Sequence, residues 1–196
     1  MFDRLFVGKE DDISLIEKAK TSQHDFARLY DKFADVVYRF VRWKVSTDQD
    51  AEDIVSETFM AVAQKIKDYD TTREQKVITR ILAIAQYKFL DHMRVVYKER
   101  ENTVPMDDYF DPGYEDDFAT ILTNKDIYEN IIAVVKTLPE RQSSVFFLRY
   151  IEWITNKEIA VICDIEEKTV SSTLSHAIKK IKHSMEAIYS GEKVWK

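Results

Sequence analysis

The chain has 196 residues, 45% of them hydrophobic and 12% aromatic, which is enough apolar content for one ordinary domain or two small ones. Three glycines, three prolines and scarce strand-like alternation exclude a sheet-rich fold and predict an all-α one. The net charge of -6 disfavours nucleic acid only as a total, because residues 73–100 carry a net of +4 and residues 101–126 a net of -7.

In chain order, Asp12 to Lys20 fits a short helix. A longer one is predicted from about His24 to Lys44, with Phe26, Leu29, Tyr30, Phe33, Val37 and Phe40 at helical spacing. Ser46 to Asp48 breaks it. Asp50 and Glu52 then place acid in the first turn of a helix that buries Val55, Phe59, Val62 and Ile66. Tyr69 to Gln75 reads as a loop, followed by a helix from about Lys76 to Glu99 through Ile81, Leu82, Ile84, Ala85 and Leu90. Between Glu101 and Asn124, Pro105, Pro112 and Gly113 sit among acids from Asp107 to Asp117, as in a solvated flexible linker. Tyr109, Phe110, Tyr114 and Phe118 imply that part of this strip lies against something. Helical pattern resumes from Asp126 to Lys136. Pro139 fits the first turn of a helix to about Ile151, and Thr155 or Asn156 caps a short helix ending near Cys163. The last helix starts around Glu166 and passes Met185. The expected architecture is two small helical domains, 1–100 and 125–196, joined by an acidic linker over 101–124.

Two constellations stand out. In the C-terminal half, Ile159, Ala160 and Ile162, then Ile165, then Val170, Leu174, Ala177, Ile178 and Ile181 have the pattern of a helix-turn-helix with an apolar inner face. An ordinary helical hairpin has the same pattern. Ser171, Ser172, Thr173, Ser175 and His176 are expected on or near the outer side of its second helix. In the N-terminal half, Asp53, Glu57, Met60 and Gln64 form a polar stripe opposite Val55, Phe59 and Val62. Such a stripe serves either as a solvated face or as a docking surface for a basic partner.

Taken together, the two halves resemble a known family. FARLYDKFADVVYRFVRWKV followed by DAEDIVSETFMAVAQKIKDYD is similar to regions 2.1 and 2.2 of bacterial RNA polymerase sigma factors of the extracytoplasmic-function (ECF) group. LPERQSSVFFLRYIEWITNKEIAVICDIEEKTVSSTLSHAIKKIK resembles their region 4. The resemblance implies an alternative sigma factor that binds core polymerase and directs promoter-specific initiation. Its first domain would dock on the clamp helices of the largest subunit and open the -10 element. Its second would ride on the flap of the second largest subunit and read the -35 element. By this resemblance Asp50, Asp53, Glu57, Met60 and Gln64 are the core-binding candidates. Tyr69, Arg73, Lys76, Arg80, Tyr87 and Lys88 are the -10 candidates, and Lys168, Thr169, Ser171, Ser172, Ser175, His176 and Lys179 the -35 candidates. It also implies an anti-sigma factor acting in trans.

The sequence departs from its family in both DNA-facing helices. Many relatives carry Trp-Leu and then Arg-Ile-Ala-Arg-Asn where this chain has Arg80, Ile81, Ala83, Ile84, Ala85, Gln86 and Tyr87. Arg73, Lys76, Arg80 and Lys88 are expected to meet phosphates instead. Relatives usually place Lys or Arg at the positions of Ser171, Thr173 and His176, and a corner glycine where Asp164 stands. Without those bases the helix lacks phosphate contacts and the bidentate grip on guanine. Either it reads an unusual -35 element, or a DNA-bound activator or RNA-guided effector brings the holoenzyme to its promoter.

Other classes of function fit less well. Cys163 is the single cysteine, which excludes an internal disulfide and suits the cytoplasm. No apolar run nears the roughly 20 residues of a membrane helix, and MFDRLF does not look like a signal peptide. His24, His92, His176 and His183 show no metal-ligand spacing, and no glycine-rich phosphate loop is present. No catalytic residue, metal or cofactor is therefore expected. The alternative reading is a helix-turn-helix regulator that dimerises and does not bind core polymerase.

Overall fold

The computed structural model describes residues 9–72, 75–100 and 125–190, and every regular element among them is helical. The backbone divides into two units, Met1–Thr103 and Val104–Lys196. The expected linker over 101–124 lies outside the described residues.

In the first unit, two helix starts are set by hydroxyls that satisfy orphan backbone N–H groups. α1 (Lys9–Ala19) begins three residues before the predicted start. The Ser22 side chain caps α2 (Gln23–Arg42) by accepting from the Asp25 N–H at 3.1 Å. Thr47 caps α3 (Asp48–Lys65) through the Asp50 N–H at the same distance, so Asp48 belongs to the helix and not to the break before it. Arg42 Nε donates to Asp48 at 2.5 Å across the α2–α3 corner. A short 3-10 turn, Ile66–Asp68, leads to the loop before α4 (Val77–Arg100).

α2 packs against α1, α3 and α4, and α3 packs against α4. Their shared core holds Leu29, Phe33, Val37 and Phe40 of α2, Ile54, Val55 and Phe59 of α3, and Ile81, Leu82 and Phe89 of α4, all buried. Each such side chain contributes about 1.5–3 kcal/mol by leaving water. Leu90, expected in this stripe, is 36% exposed at its edge, and Tyr30 is 41% exposed although its ring meets Phe59 at 4.7 Å.

The second unit contains α5 (Lys125–Val135), α6 (Glu140–Tyr150), α7 (Asn156–Cys163) and α8 (Glu167–Ser190). Pro139 is the residue before α6 rather than its first turn, with extended ψ of 145°. Thr155 and Glu158 close a reciprocal capping box at the start of α7. At its end Asp164 takes the left-handed conformation, φ 54° and ψ 51°, and the next residue, Ile165, donates its N–H to the Ala160 carbonyl at 2.9 Å. That αL stop turns the chain into α8, whose Val170, Leu174, Ala177, Ile178 and Ile181 are buried against α5, α6 and α7. The result is a helix-turn-helix, α7 and α8, supported from behind by α5 and α6.

Candidate polymerase and DNA interfaces

On α3, the inner face is closed by Ala51, Ile54, Val55, Thr58, Phe59 and Val62, and the Thr58 hydroxyl is satisfied by the Ile54 carbonyl at 2.7 Å. Asp53, Glu57, Met60 and Gln64 all lie exposed on the opposite side, Met60 at 57%. The stripe is not bare acid. Gln49 Nε2 donates to Asp53 at 3.1 Å. Asp50, half-buried, accepts from the Thr47 hydroxyl at 2.6 Å and lies 3.7 Å from His92 Nε2 on α4. Lys88 Nζ, also on α4, sits 3.2 Å from Glu57 Oε2. Lys88 was grouped with the -10 candidates, but its side chain lies at the edge of the α3 stripe.

The other described -10 candidates differ in exposure. Arg80 is half-buried, with its guanidinium 4.3 Å over the Tyr69 ring and its Nη1 buried without a hydrogen-bond partner. Burial pushes the half-buried Tyr69 hydroxyl above its ordinary pKa, against the pull of Arg80. The two thus pair with each other, where the sequence suggested two outward contacts. Tyr87 is 60% exposed on the outer ridge of α4, and Lys76 is exposed just before the helix. Arg73 lies outside the described residues.

Gln86 of α4 is only 5% exposed. Its Oε1 accepts from Lys44 Nζ at 2.5 Å, and that ammonium lies 4.3 and 4.7 Å from the Phe40 and Phe89 ring centres. Gln86 is thus an internal tie between α2 and α4.

On α8, Lys168, Ser171 and Lys179 are exposed, and Thr169, Ser172 and His176 half-exposed. Ser175 and Thr173, by contrast, are 5% and 8% exposed. This corrects their expected outward placement: small side chains are covered where a helix packs closely on its neighbours. Lys168 Nζ is 2.7 Å from Glu166, which holds the ammonium pKa above its ordinary value and offsets its charge at the start of the helix. The Ser171 hydroxyl accepts from Asn156 Nδ2 at 3.4 Å, and the His176 ring hydrogen-bonds the Ser172 carbonyl at 2.8 Å. Among these outward groups the local bonds lead back into the protein.

Reading the sequence missed Glu17, Lys44 and His92, which bond to residues far along the chain. Only the spacing of Glu17 and Lys20 at i, i+3 marked one of them beforehand. Among the described residues no group of His, Cys, Asp and Glu could hold a metal, and no helix is long and apolar enough to cross a membrane.

Residues 29–97 match the family pattern described as Sigma-70 region 2, and residues 128–181 match Sigma-70, region 4. The ECF RNA polymerase sigma factor BldN of Streptomyces coelicolor is 26% identical over 173 residues, covering 86% of this chain and 64% of that protein. The ECF RNA polymerase sigma factor SigM of Bacillus subtilis is 25% identical over 154 residues, covering 79% of this chain and 91% of SigM. In fold, the chain is similar to CnrH, solved in complex with the cytosolic domain of CnrY, with a TM-score of 0.65 at 18% identity over 90% of this chain and 97% of that one. It is also similar to the sigma factor RpoE, solved with the anti-sigma factor NepR from Bartonella quintana, with a TM-score of 0.62 at 16% identity over 83% and 97%. The chain belongs to the ECF group of the sigma-70 family of RNA polymerase sigma factors.

Proposed function

We propose that this chain binds core RNA polymerase through the exposed side of α3 and directs promoter-specific initiation through the loop before α4 and the helix-turn-helix of α7 and α8. The observation that carries the reading is the α3 stripe. Asp53, Glu57, Met60 and Gln64 stand together in solvent on a helix whose opposite side is fully used by the core. Such a surface suits the clamp helices of the largest subunit, with Lys88 and His92 setting its edge. The second unit would rest on the flap and meet the -35 element, while the polymerase performs the chemistry. An anti-sigma factor belongs to the same proposal, since both solved neighbours are complexes with a second polypeptide. So does a DNA-bound recruiting protein or RNA-guided effector, which the weakly basic outer side of α8 would call for.

The test is co-elution with core polymerase on a sizing column. Asp53→Lys with Glu57→Lys should weaken core binding by about a hundredfold or more, since opposed like charges cost several kcal/mol. Circular dichroism should show unchanged helicity. A double variant that still co-elutes with core at wild-type concentration would refute the α3 docking surface.

A further inference from the structure

We infer that α1 is a positioning element for the loop before α4, and that the Glu17 carboxylate is its grip. The inference rests on the proposed reading of that loop as a -10 contact. α1 is itself fixed. Leu15, Ile16 and Ala19 are buried, and Asp12 forms an ion pair with Lys32 of α2. From this anchored helix Glu17 Oε1 accepts from the Thr71 hydroxyl at 2.8 Å, a contact between residues 54 positions apart. The same oxygen takes Lys20 Nζ at 2.8 Å. The Lys20 and Thr71 hydrogen bonds hold the Glu17 carboxyl below its ordinary pKa, so Thr71 donates to a charged acceptor.

The neighbouring loop residues are also tied. Asp70 Oδ1 accepts from both the N–H and the hydroxyl of Thr72, at 3.0 and 2.6 Å, and this closes a local turn. Arg80 covers the Tyr69 ring from the α4 side. The stretch 69–72 is therefore clamped between α1 on one side and α4 on the other. The Glu17–Thr71 bond reaches it from outside the 3-10 turn, loop and α4 segment. A loop held in advance loses less conformational freedom when it meets a strand of DNA. The grip should therefore act on promoter opening and leave polymerase docking, which uses the far side of α3, untouched.

The experiment uses holoenzyme reconstituted with full-chain variants and a fluorescent base analogue in the -10 element. It reads the rate of opening, core affinity and the thermal midpoint. Thr71→Val and Glu17→Ala should each slow opening about five- to tenfold, the loss expected for one partly exposed hydrogen bond. The double variant should be no slower than either single one, and Thr71→Ser, which keeps the hydroxyl, should return opening to within about twofold of wild type. Core affinity should not move in any of them, and the midpoint should fall by no more than the few degrees that one hydrogen bond accounts for. Wild-type opening in Thr71→Val, additive losses in the double variant, or an equal fall in core affinity would overturn the inference. Lys76→Ala separates the two levels. If it slows opening while Thr71→Val does not, the grip fails alone. If Lys76→Ala and Tyr69→Ala both open normally, the reading of the loop fails and the inference with it.

Discussion

Asp164 and Trp153 both hold positive φ, 54° and 56°, in the second unit, and they do so at different cost. In the left-handed region Cβ crowds the following carbonyl, and a short polar side chain bears this better than a bulky one. Asp164 therefore suits the corner between α7 and α8. Trp153, 45% exposed, has no such excuse in its side chain and is held by the turn before α7. The corner gives a direct check. Asp164→Ala should lower the stability of the second unit by about 1 kcal/mol, and Asp164→Gly should leave it equal or raise it by up to about 1 kcal/mol. Denaturation of the full chain measures both, and an alanine variant as stable as the glycine one would contradict the αL assignment. A second lesson at this scale is that basic residues do not declare their partners. Arg80 and Lys88 look alike in sequence, yet one covers a tyrosine ring and the other neutralises Glu57.

At the scale of elements, α3 was legible and α8 only partly so, for a physical reason. Large apolar residues in α3 repeat along one side and charged ones along the other, so periodicity alone separated its buried and exposed faces. The inner stripe of α8 was legible in the same way through Val170, Leu174, Ala177 and Ile181. Thr173 and Ser175 were not, because a small hydroxyl residue carries almost no hydropathy signal and its burial depends on how closely another helix approaches. Contacts such as Glu17–Thr71 and Lys44–Gln86 were illegible because they depend on tertiary approach between residues 54 and 42 positions apart. This distinction sets the outcome of adding charge to α8. Ser171→Arg, at an exposed position, should strengthen promoter binding and steepen its salt dependence by about 0.9 in log–log slope for one added phosphate contact. Thr173→Arg should instead destabilise the second unit, since it drives a charge into a buried site. Salt titrations of holoenzyme binding and full-chain melting curves separate the two, and a Thr173→Arg protein that binds tighter with normal stability would show that residue to face outward after all.

For the whole molecule, a net charge of -6 and a positive excess concentrated in residues 73–100 leave little sequence-independent attraction to DNA. Polymerase supplies part of what is missing. The outer side of α8 adds little more, because Lys168 is paired with Glu166, while Lys179 lies toward the helix middle, away from the N-terminal turns that usually read bases. A site with a free Kd of roughly 10⁻⁵ M, in the range of non-specific binding, stays largely empty at cellular concentrations. Tethered beside it at an effective concentration of roughly 1 mM, the same surface is almost fully occupied without any new contact. The holoenzyme should therefore start weakly on promoters by itself and at least about tenfold more often when held nearby. In vitro transcription with purified core, the full chain and a promoter library reads the unaided level. Joining the chain by a flexible linker to a sequence-specific DNA-binding domain, with its site upstream of the library, reads the tethered one. Strong unaided initiation from a sharply defined -35 sequence, unchanged by the tether, would rule out recruitment and mean that Ser171, Ser172 and His176 read bases by a code of their own.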